Sequence, residues 1–167
     1  KELGLNRFIC EQPPYHLLDR RIERELVPMA QTYGLALIPW SPMAGGFLTG
    51  KYQRNQEHPS DARYTDTNQK SDLFSDAAYD LLETVIAIAN EKGCTPSQLA
   101  LAWCAQQPGI TSPIVGIRTM EQLEQNLGAI EVKITDQDRI RIDETSFPGQ
   151  VIVPYYQADF GPHLFRW

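Results

Sequence analysis

The chain has 167 residues, of which 42% are hydrophobic, and a formal net charge of -6 at pH 7. This acidic balance disfavours nucleic acid and anionic lipid as partners, because most of the surface would repel them. No apolar run approaches the roughly 18 residues of a membrane-spanning helix, and the opening KELGLNRF lacks the features of a secretory signal, so the sequence predicts a globular cytoplasmic protein without membrane insertion.

The first elements alternate between strand and helix. Residues 7–12 (RFICEQ) have the composition of a short strand, and residues 20–33 place apolar side chains at helical spacing. Pro28 predicts a kink or a restart of that helix near Glu25. Residues 35–40 (LALIPW) have no alternating polar face, which is typical of a strand buried on both sides in a parallel sheet.

A long loop and two helices follow. Residues 41–72 show no periodic pattern and are rich in Pro, Gly, Asp and Asn, which predicts a loop over the domain. Residues 75–93 (SDAAYDLLETVIAIANEKG) have a strong helical pattern. Residues 95–98 (TPSQ) combine an N-cap, a proline at the first helical position and a capping-box glutamine, which predicts a second helix through Gln107.

The last elements repeat the alternation. Residues 112–117 (SPIVGI) predict a third buried strand, and a helix capped by Thr119 follows it. Thr135 caps one more helix, which runs to about Thr145. Because strands and helices alternate along the chain, we expect a parallel sheet with right-handed crossovers.

The number of predicted strands points to an incomplete architecture. Three strands cannot close a barrel of eight, and a three-stranded sheet of this length would leave apolar strand edges bare. The opening KELGL also has the pattern of the end of a preceding helix. We therefore expect an α/β fold that is the C-terminal part of a larger barrel, with its last three strands and their helices.

The three cysteines predict neither a disulfide framework nor a metal site. Cys10, Cys94 and Cys104 are odd in number and lie inside apolar segments without the spacing of metal ligands. This pattern favours reduced thiols in the core.

Three stretches, CEQPPYHLLDR, LIPWSPMAGGFLTGKY and PIVGIRTMEQLEQNL, resemble consecutive segments of the aldo-keto reductase superfamily. The resemblance is to the branch of potassium-channel β-subunit-like reductases and related bacterial enzymes, and it covers residues 1–147 in order and spacing. It implies a (β/α)8 TIM barrel that binds NADPH at the C-terminal ends of its strands. Residues 148–167 then form an aromatic tail that lines the pocket, covers the barrel or contacts another subunit of a homo-oligomer.

Two residues are matched to the nicotinamide end of the cofactor by this resemblance. Trp40 lies where the family stacks an aromatic ring on the nicotinamide, and a flat ring at a strand end suits that task. Gln12 matches the residue that binds the carboxamide, since an amide can donate and accept at once. The alternatives are a tryptophan of the core and a polar residue at the barrel rim.

The small residues after Trp40 match the loop that wraps the cofactor pyrophosphate, where backbone N–H groups must reach phosphate oxygens. A plain Gly-Pro turn is the alternative. Lys51 matches a cation near the phosphates, although a lone lysine is more often simply solvated. Arg63 in the long loop is a candidate to close over the pyrophosphate. The matched loop residues are Ser41, Pro42, Met43 and Gly45.

The segment GIRTMEQLEQN, which begins at Gly116, carries the most chemistry. Arg118 stands directly before a helix N-terminus, so its charge and the positive helix end favour a phosphate. In the family this position takes the adenosine 2′-phosphate. Gln122 matches a residue that helps hold it, but the same glutamine occupies a capping-box position and cannot easily do both. Gln125 and Asn126 match residues at the adenine, where the family more often has an acid in place of Gln125.

The family's catalytic Asp, Tyr, Lys and His come from the first half of the barrel, and no motif for them occurs here. Tyr15 and His16 are adjacent and need not converge, while His58 and His163 lie in irregular segments, so we expect rim, loop and tail positions for all four. No catalytic residue and no metal site is assigned. The isolated chain is predicted to be inactive.

The resemblance implies an NADPH-dependent oxidoreductase that reduces aldehydes or ketones to alcohols, with a small carbonyl substrate and the missing N-terminal half of the barrel as its partners. The alternative is an NADPH-sensing regulatory module that resembles a potassium-channel β subunit. A barrel hydrolase or aldolase with a phosphate site comes last, because no G-x-S-x-G, H-E-x-x-H or strand-end Schiff-base lysine supports it.

Overall fold

The fold contains a short parallel sheet of two strands. The computed structural model describes residues 4, 6–66 and 72–154. Strand β1 (Cys10–Glu11) pairs in parallel with strand β2 (Ala36–Leu37). Backbone hydrogen bonds from Ala36 to the Ile9 carbonyl (2.9 Å) and from Ile38 to the Glu11 carbonyl (3.0 Å) hold this pair. The mixed α/β class with parallel strands agrees with the sequence.

The third predicted strand, 112–117, is wrong as a strand. Its neighbourhood pairs with the β2 segment only through two isolated parallel bridges, Leu37 to Ile110 and Trp40 to Ile114. The other two strands are likewise shorter than their predictions, 7–12 and 35–40. Prolines lack the N–H that a ladder needs. Pro39 and Pro113 interrupt the second and third segments, whereas Pro13 and Pro14 follow the first.

The first predicted helix, 20–33, is divided as its proline indicated. A 3-10 turn at Arg21–Glu23 comes first, and helix α1 (Leu26–Tyr33) begins after an N-cap at Glu25. The restart near Glu25 is therefore confirmed. Pro28 falls in the first turn of α1, where its missing N–H would have no partner within the helix.

The next two helices form where they are predicted, and the second begins at its predicted cap. The Ser75 side chain accepts from the Ala78 N–H at the start of α2 (Asp76–Lys92), and Thr95 forms the expected capping box with Gln98 at the start of α3 (Pro96–Ala105). Helix α3 ends two residues before the predicted Gln107. That residue precedes Pro108, which disfavours the helical conformation there.

The last two helices also follow their caps. Thr119 caps α4 (Met120–Leu127), which continues as a 3-10 turn at Gly128–Glu131. Thr135 caps α5 (Asp136–Thr145) and forms a capping box with Asp138. Across the described ranges, no helix combines the length and the apolar character that crossing a membrane requires.

The long loop after Trp40 is more ordered than predicted. It contains a 3-10 turn at Ala44–Thr49. Further along, the Tyr64 N–H donates to the Tyr52 hydroxyl (3.1 Å) and the His58 Nδ1–H donates to the Tyr64 carbonyl (3.0 Å), which closes the segment between them. The ring of Tyr52 is fully buried and contacts the rings of His58 and Tyr64, which orders the segment. Hydropathy periodicity does not reveal such ring contacts.

The cysteines are free thiols, but they do not all lie in the core. Cys104 is buried, and burial raises the pKa of its thiol to about 12. Cys94 is half-buried. Cys10 is exposed, which corrects its assignment to the core. It lies on the outer strand β1, beside Phe8 and Ile9, whose exposed fractions are 86% and 79%.

A buried arginine connects the segment after β1 with the end of α5. Arg20 is 3% exposed and donates to Glu23 Oε1 (2.8 Å), to Asp143 Oδ1 (2.6 Å) and to the Ser146 carbonyl. Its guanidinium lies 5.2 Å from the centre of the Trp103 ring. Removing this side chain would leave the largely buried Glu23 carboxylate without its counter-charge, whereas Asp143 is partly exposed.

The described beginning of the predicted tail is attached to the same region. Ile152 N–H donates to the Leu18 carbonyl (2.9 Å), and Val151 forms an antiparallel bridge with Asp19. Residues 155–167, which carry most of the predicted aromatic tail, lie outside the described residues. The role of the tail stays a prediction.

We expect Arg20→Met in the full-length protein to lower the free energy of unfolding by about 3–5 kcal/mol, because it removes one partner of a buried ion pair. Urea unfolding followed by circular dichroism measures the loss.

Arg54 offers a matched control. It binds three carboxylates where Arg20 binds two, and it too lies near an aromatic ring, 5.3 Å from that of Tyr79, but the carboxylates that it binds are mostly exposed. Solvent screens such pairs, so Arg54→Met should cost far less. Equal losses for the two variants would contradict the assigned importance of the buried arginine.

Candidate cofactor-binding site

The C-terminal ends of the three paired segments lie at one end of the sheet, because the segments are parallel. Trp40 is at the centre, bridged to Pro14 on one side and to Ile114 on the other, and its N–H donates to the Pro13 carbonyl (3.0 Å). The tryptophan is half-buried, and Gln12, which follows β1, is exposed. The two residues predicted at the nicotinamide therefore emerge from adjacent segments at the same end.

The loop that follows Trp40 turns sharply. Ser41 and Ala44 have positive φ values of 59° and 50°, which residues other than glycine rarely adopt, and Gly45 and Gly46 follow at 66° and 98°. The Ser41 hydroxyl accepts from the Gly45 N–H at 3.2 Å. In this conformation, contact of a phosphate with the Gly45 amide requires that hydrogen bond to open.

Pro42 and Met43 stabilise the turn by burial and by backbone hydrogen bonds. Pro42 is buried. The Met43 carbonyl accepts from the N–H groups of Gly46 (2.9 Å) and Leu48 (3.2 Å). These contacts shape the turn, and the predicted pyrophosphate contact of these two residues is not tested by them.

Lys51 folds back over the glycines of this loop. A Cβ built on Gly46 would lie 3.3 Å from the Lys51 Cε and 3.4 Å from its Nζ. The Nζ also lies 5.2 Å from the centre of the Tyr52 ring. The lack of a side chain at Gly46 therefore makes room for the lysine that follows the loop.

Two arginines, Arg63 of the long loop and Arg118 before α4, act electrostatically on Lys51. Partial desolvation of its ammonium lowers the pKa of Lys51 from the ordinary 10.5, the positive charges of Arg118 and Arg63 lower it further, and Asp61 opposes them. Residue 51 as a whole is exposed, so the desolvation is local to the ammonium that lies over Tyr52. The long loop and the start of α4 thus concentrate positive charge beside the glycine turn.

The backbone N–H of Gln122 takes part in capping α4, but its side chain does not form the predicted capping-box bond. The Thr119 hydroxyl accepts from the Gln122 N–H (3.2 Å). The Gln122 Oε1 accepts from the Arg118 N–H (2.9 Å) rather than from the N-cap amide, so only half of a capping box is formed. This bond fixes the backbone of Arg118 at the helix entry, and the predicted phosphate contact of Gln122 stays untested.

The remaining predicted residues lie along α4 or just before it. A Cβ on Gly116 would meet nothing within 4 Å, so packing among the described residues does not demand a glycine there. Gln125 is exposed and donates to Glu121 Oε1 (3.3 Å). Asn126 is half-buried and lines an apolar groove of about 370 Å³ between α3 and α4.

Two candidate proton donors are not at a rim, which corrects their predicted positions. Tyr15 is 1% exposed and donates to Glu23 Oε1 (2.5 Å), and burial raises the pKa of its phenol. His16 is fully buried, and its Nδ1 accepts from the Leu18 N–H (3.2 Å). The chain turns back only after these residues, where the Asp19 N–H donates to the His16 carbonyl (2.9 Å). His163 lies outside the described residues.

Within the described ranges, no group of three or more His, Cys, Asp or Glu side chains could hold a metal ion. Asp61 and Tyr52 belong to the region around Lys51 but were not predicted. Only the fold reveals them, because neither residue occurs in a recognisable motif.

The chain belongs to the aldo/keto reductase family, whose model matches residues 2–146. It is 41% identical over 128 residues to a rice (Oryza sativa subsp. japonica) protein described as a probable voltage-gated potassium channel subunit beta, covering 74% of this chain and 39% of that protein. An Arabidopsis thaliana protein of the same description is 39% identical over 128 residues, with the same coverage of both chains.

A bacterial relative shows the other branch of the resemblance. The chain is 36% identical over 142 residues to an uncharacterized oxidoreductase, YrpG, of Bacillus subtilis (strain 168), covering 85% of this chain and 41% of that protein. The chain therefore spans about two fifths of the length of these relatives. The predicted family membership, with its channel-subunit-like and bacterial relatives, is confirmed.

The convergence of the three cations can be measured through Lys51. Arg118→Gln removes a positive charge that lowers the pKa of Lys51, so we expect that pKa to rise, as followed by NMR of labelled lysine side chains in the full-length protein. Arg139→Gln, on α5, is the control and should leave it unchanged. An unaltered pKa in both variants would contradict the convergence.

The same shift fixes the direction of a pH effect. An anion that binds beside Lys51 would prefer the charged lysine. The affinity of the protein for that anion would be greatest below the pKa of Lys51 and would fall as the pH rises through that value. Because the pKa is lowered, the fall should begin below the ordinary 10.5.

Proposed function

We propose that the complete protein is an NADPH-dependent oxidoreductase that reduces aldehydes or ketones to alcohols, and that this chain carries the part that binds the cofactor. The observation that supports this most is the convergence of Lys51, Arg63 and Arg118 beside a glycine turn at the ends of the paired segments. NADPH carries a pyrophosphate and a 2′-phosphate, so it needs several cations within one region. Membership of the aldo/keto reductase family supports the same reading.

The residues divide the cofactor among them. Lys51 and Arg63 neutralise the pyrophosphate, since both belong to the loop that passes the glycine turn. Arg118 meets the 2′-phosphate, aided by the positive end of α4. When bound, the nicotinamide supplies a hydride to a carbonyl carbon, and Trp40 and Gln12 would fix which face of that ring is presented.

The space left by Gly116 fits this arrangement. A side chain there would project into open space beside the start of α4 rather than into the protein. A glycine that no packing requires is expected where a ligand approaches the backbone closely. The exposed Gln125 and its neighbour Asn126 on α4 would contact the adenine.

The remainder of the barrel would cover apolar surface that the described residues leave open. On one outer segment Phe8 and Ile9 are exposed, and on the other side the apolar groove between α3 and α4 contains Val115 and Leu123. The greater length of the relatives supports a partner segment of the same chain. That segment would supply the proton donor. We propose in addition that the complete protein is cytoplasmic and forms a homo-oligomer.

The second candidate is an NADPH-sensing module, favoured by the plant relatives that are described as probable channel β subunits. Both functions need the same cofactor site but differ in turnover. A reductase oxidises many equivalents of NADPH when an aromatic aldehyde is supplied in excess. A sensing module oxidises at most the bound equivalent, and it would be retained by a potassium channel from the same organism during purification.

We expect Arg118→Ala in the full-length protein to weaken NADPH about ten- to hundredfold, because one charge-assisted pair with the 2′-phosphate is worth roughly 1.5–3 kcal/mol. NADH lacks that phosphate, so its affinity should change little. Isothermal titration with both cofactors measures the two effects.

Arg139→Ala is the matched control, since it removes an arginine of α5 whose contact is the Gln106 carbonyl (3.3 Å). It should leave both affinities unchanged. Equal losses of NADPH and NADH in Arg118→Ala, or no loss of either, would remove Arg118 from the phosphate site and the preference for NADPH with it.

A further inference from the structure

The amide of Gln98 holds two helices at once. Its Oε1 accepts from the Thr95 N–H (2.9 Å), which completes the capping box of α3. Its Nε2 donates to the Gln125 carbonyl (2.7 Å), near the end of α4 and 27 residues further along the chain. The capping bond fixes which way the amide faces, because the oxygen is needed at Thr95 and the nitrogen is then directed at α4.

Gly128 provides the space for this contact. A Cβ at that position would clash with the Gln98 Nε2, so the end of the glutamine side chain would have to move. The backbone of Gly128 is helical, with φ of -59° and ψ of -15°, so its conformation alone would accept alanine. Only the approach of the Gln98 amide requires a glycine here.

Helix α4 depends on such contacts because it has little other support within the described residues. None of its residues is buried, and its apolar side chains Leu123 and Leu127 line the open groove. Helix α3, by contrast, is the most buried part of this region, with Leu99, Ala100 and Trp103 in the core. A bond from α3 to α4 therefore fixes a loosely held helix to a rigid one.

We propose that Gln98 and Gly128 form a clasp that positions α4 and, through it, the residues that recognise the adenosine end of the cofactor. The inference rests on the proposed cofactor site, because α4 carries Gln125 and Asn126 and begins directly after Arg118. Gln98 is a positioning residue: it holds the helix by its carbonyl and does not itself contact the cofactor. Its effect is on the adenosine end and not on the reacting atoms.

Gln98→Glu separates the two roles of the side chain. A glutamate keeps the acceptor for the Thr95 N–H and is a favoured capping-box residue, so α3 retains its cap. It loses the donor and sets a carboxylate against the Gln125 carbonyl, so α4 is released. Gly128→Ala should release α4 by another route, since its Cβ displaces the amide.

Gln106 supplies a matched control on the same helix. At the end of α3, its Nε2 donates to the Val132 carbonyl (2.7 Å) and its Oε1 accepts from the Ile134 N–H (3.1 Å). It thus makes the same pair of bonds, but to a segment that carries no predicted site residue. Gln106→Glu removes one donor, as Gln98→Glu does.

The test uses the full-length protein and two measurements. Hydrogen exchange of the amides of residues 124–127, without ligand, reports whether α4 is held. Titration with 2′,5′-ADP, which has the adenine and the 2′-phosphate but no nicotinamide, reports the adenosine end of the site. Loss of one hydrogen bond predicts that Gln98→Glu and Gly128→Ala accelerate exchange and weaken 2′,5′-ADP by roughly three- to tenfold, while Gln106→Glu changes neither.

A double variant tests the clasp itself. In Gln98→Ala the amide is gone, so the further change Gly128→Ala should add no effect on either measurement. Full additivity, or unchanged exchange in α4 for both single variants, would overturn the clasp. Faster exchange with unchanged 2′,5′-ADP affinity would overturn its role in positioning the site.

The outcome for the unmodified protein distinguishes the two proposals. If it fails to bind 2′,5′-ADP although Gln98→Glu still accelerates exchange in α4, the proposed cofactor site is contradicted and the clasp between the helices is supported. Binding that is lost equally in Gln98→Glu and Gln106→Glu would contradict a specific role for Gln98.

Discussion

The parallel pairing of the β2 segment with a neighbour on each side is the constraint on which the rest of the structure depends. The Leu37 carbonyl accepts from the Thr111 N–H (2.8 Å), and the Trp40 N–H donates to the Pro13 carbonyl on the opposite side. Because all three segments run in one direction, the loops that follow them leave from the same end. Residues that are more than 60 positions apart in the sequence can therefore act on one ligand.

Positive side chains gather at that end of the sheet, although the molecule as a whole is negatively charged. The chain carries a net charge of -6, yet the positive charges of Arg118 and Arg63 lower the pKa of Lys51, with Asp61 as a partial counter-charge. An anion bound beside Lys51 would favour its charged form, and under the proposed function the affinity would depend on the number of phosphates in the ligand.

Local signals in the sequence predicted the helices well, whereas pairing between distant segments could not be predicted. The caps at Ser75, Thr95 and Thr135 act within four residues, so the sequence contains all that they need. The pairing over 35–40 and 112–117 is shorter than predicted because Pro39 and Pro113 lack the N–H that a ladder needs, which hydropathy does not register. The second partner of Gln98 was missed since its capping role already explained the residue.

The candidate site was predicted in part from the residues and in larger part from the family resemblance. Arg118 before a helix N-terminus is a local signal for an anion. Its proximity to Lys51 depends on how the long loop folds over the sheet, and the ring contacts of Tyr52 and His58 that order this loop have no periodic signature. The burial of Tyr15 was likewise decided by a tertiary contact, its bond to Glu23.

A crystal structure of the full-length protein with bound NADP+ tests the central claim most directly. The account predicts that the 2′-phosphate lies within hydrogen-bond distance of the Arg118 guanidinium and that the pyrophosphate contacts Lys51 or Arg63 beside the glycine turn. A cofactor bound with its phosphates on another surface, with these three side chains in solvent, would contradict it.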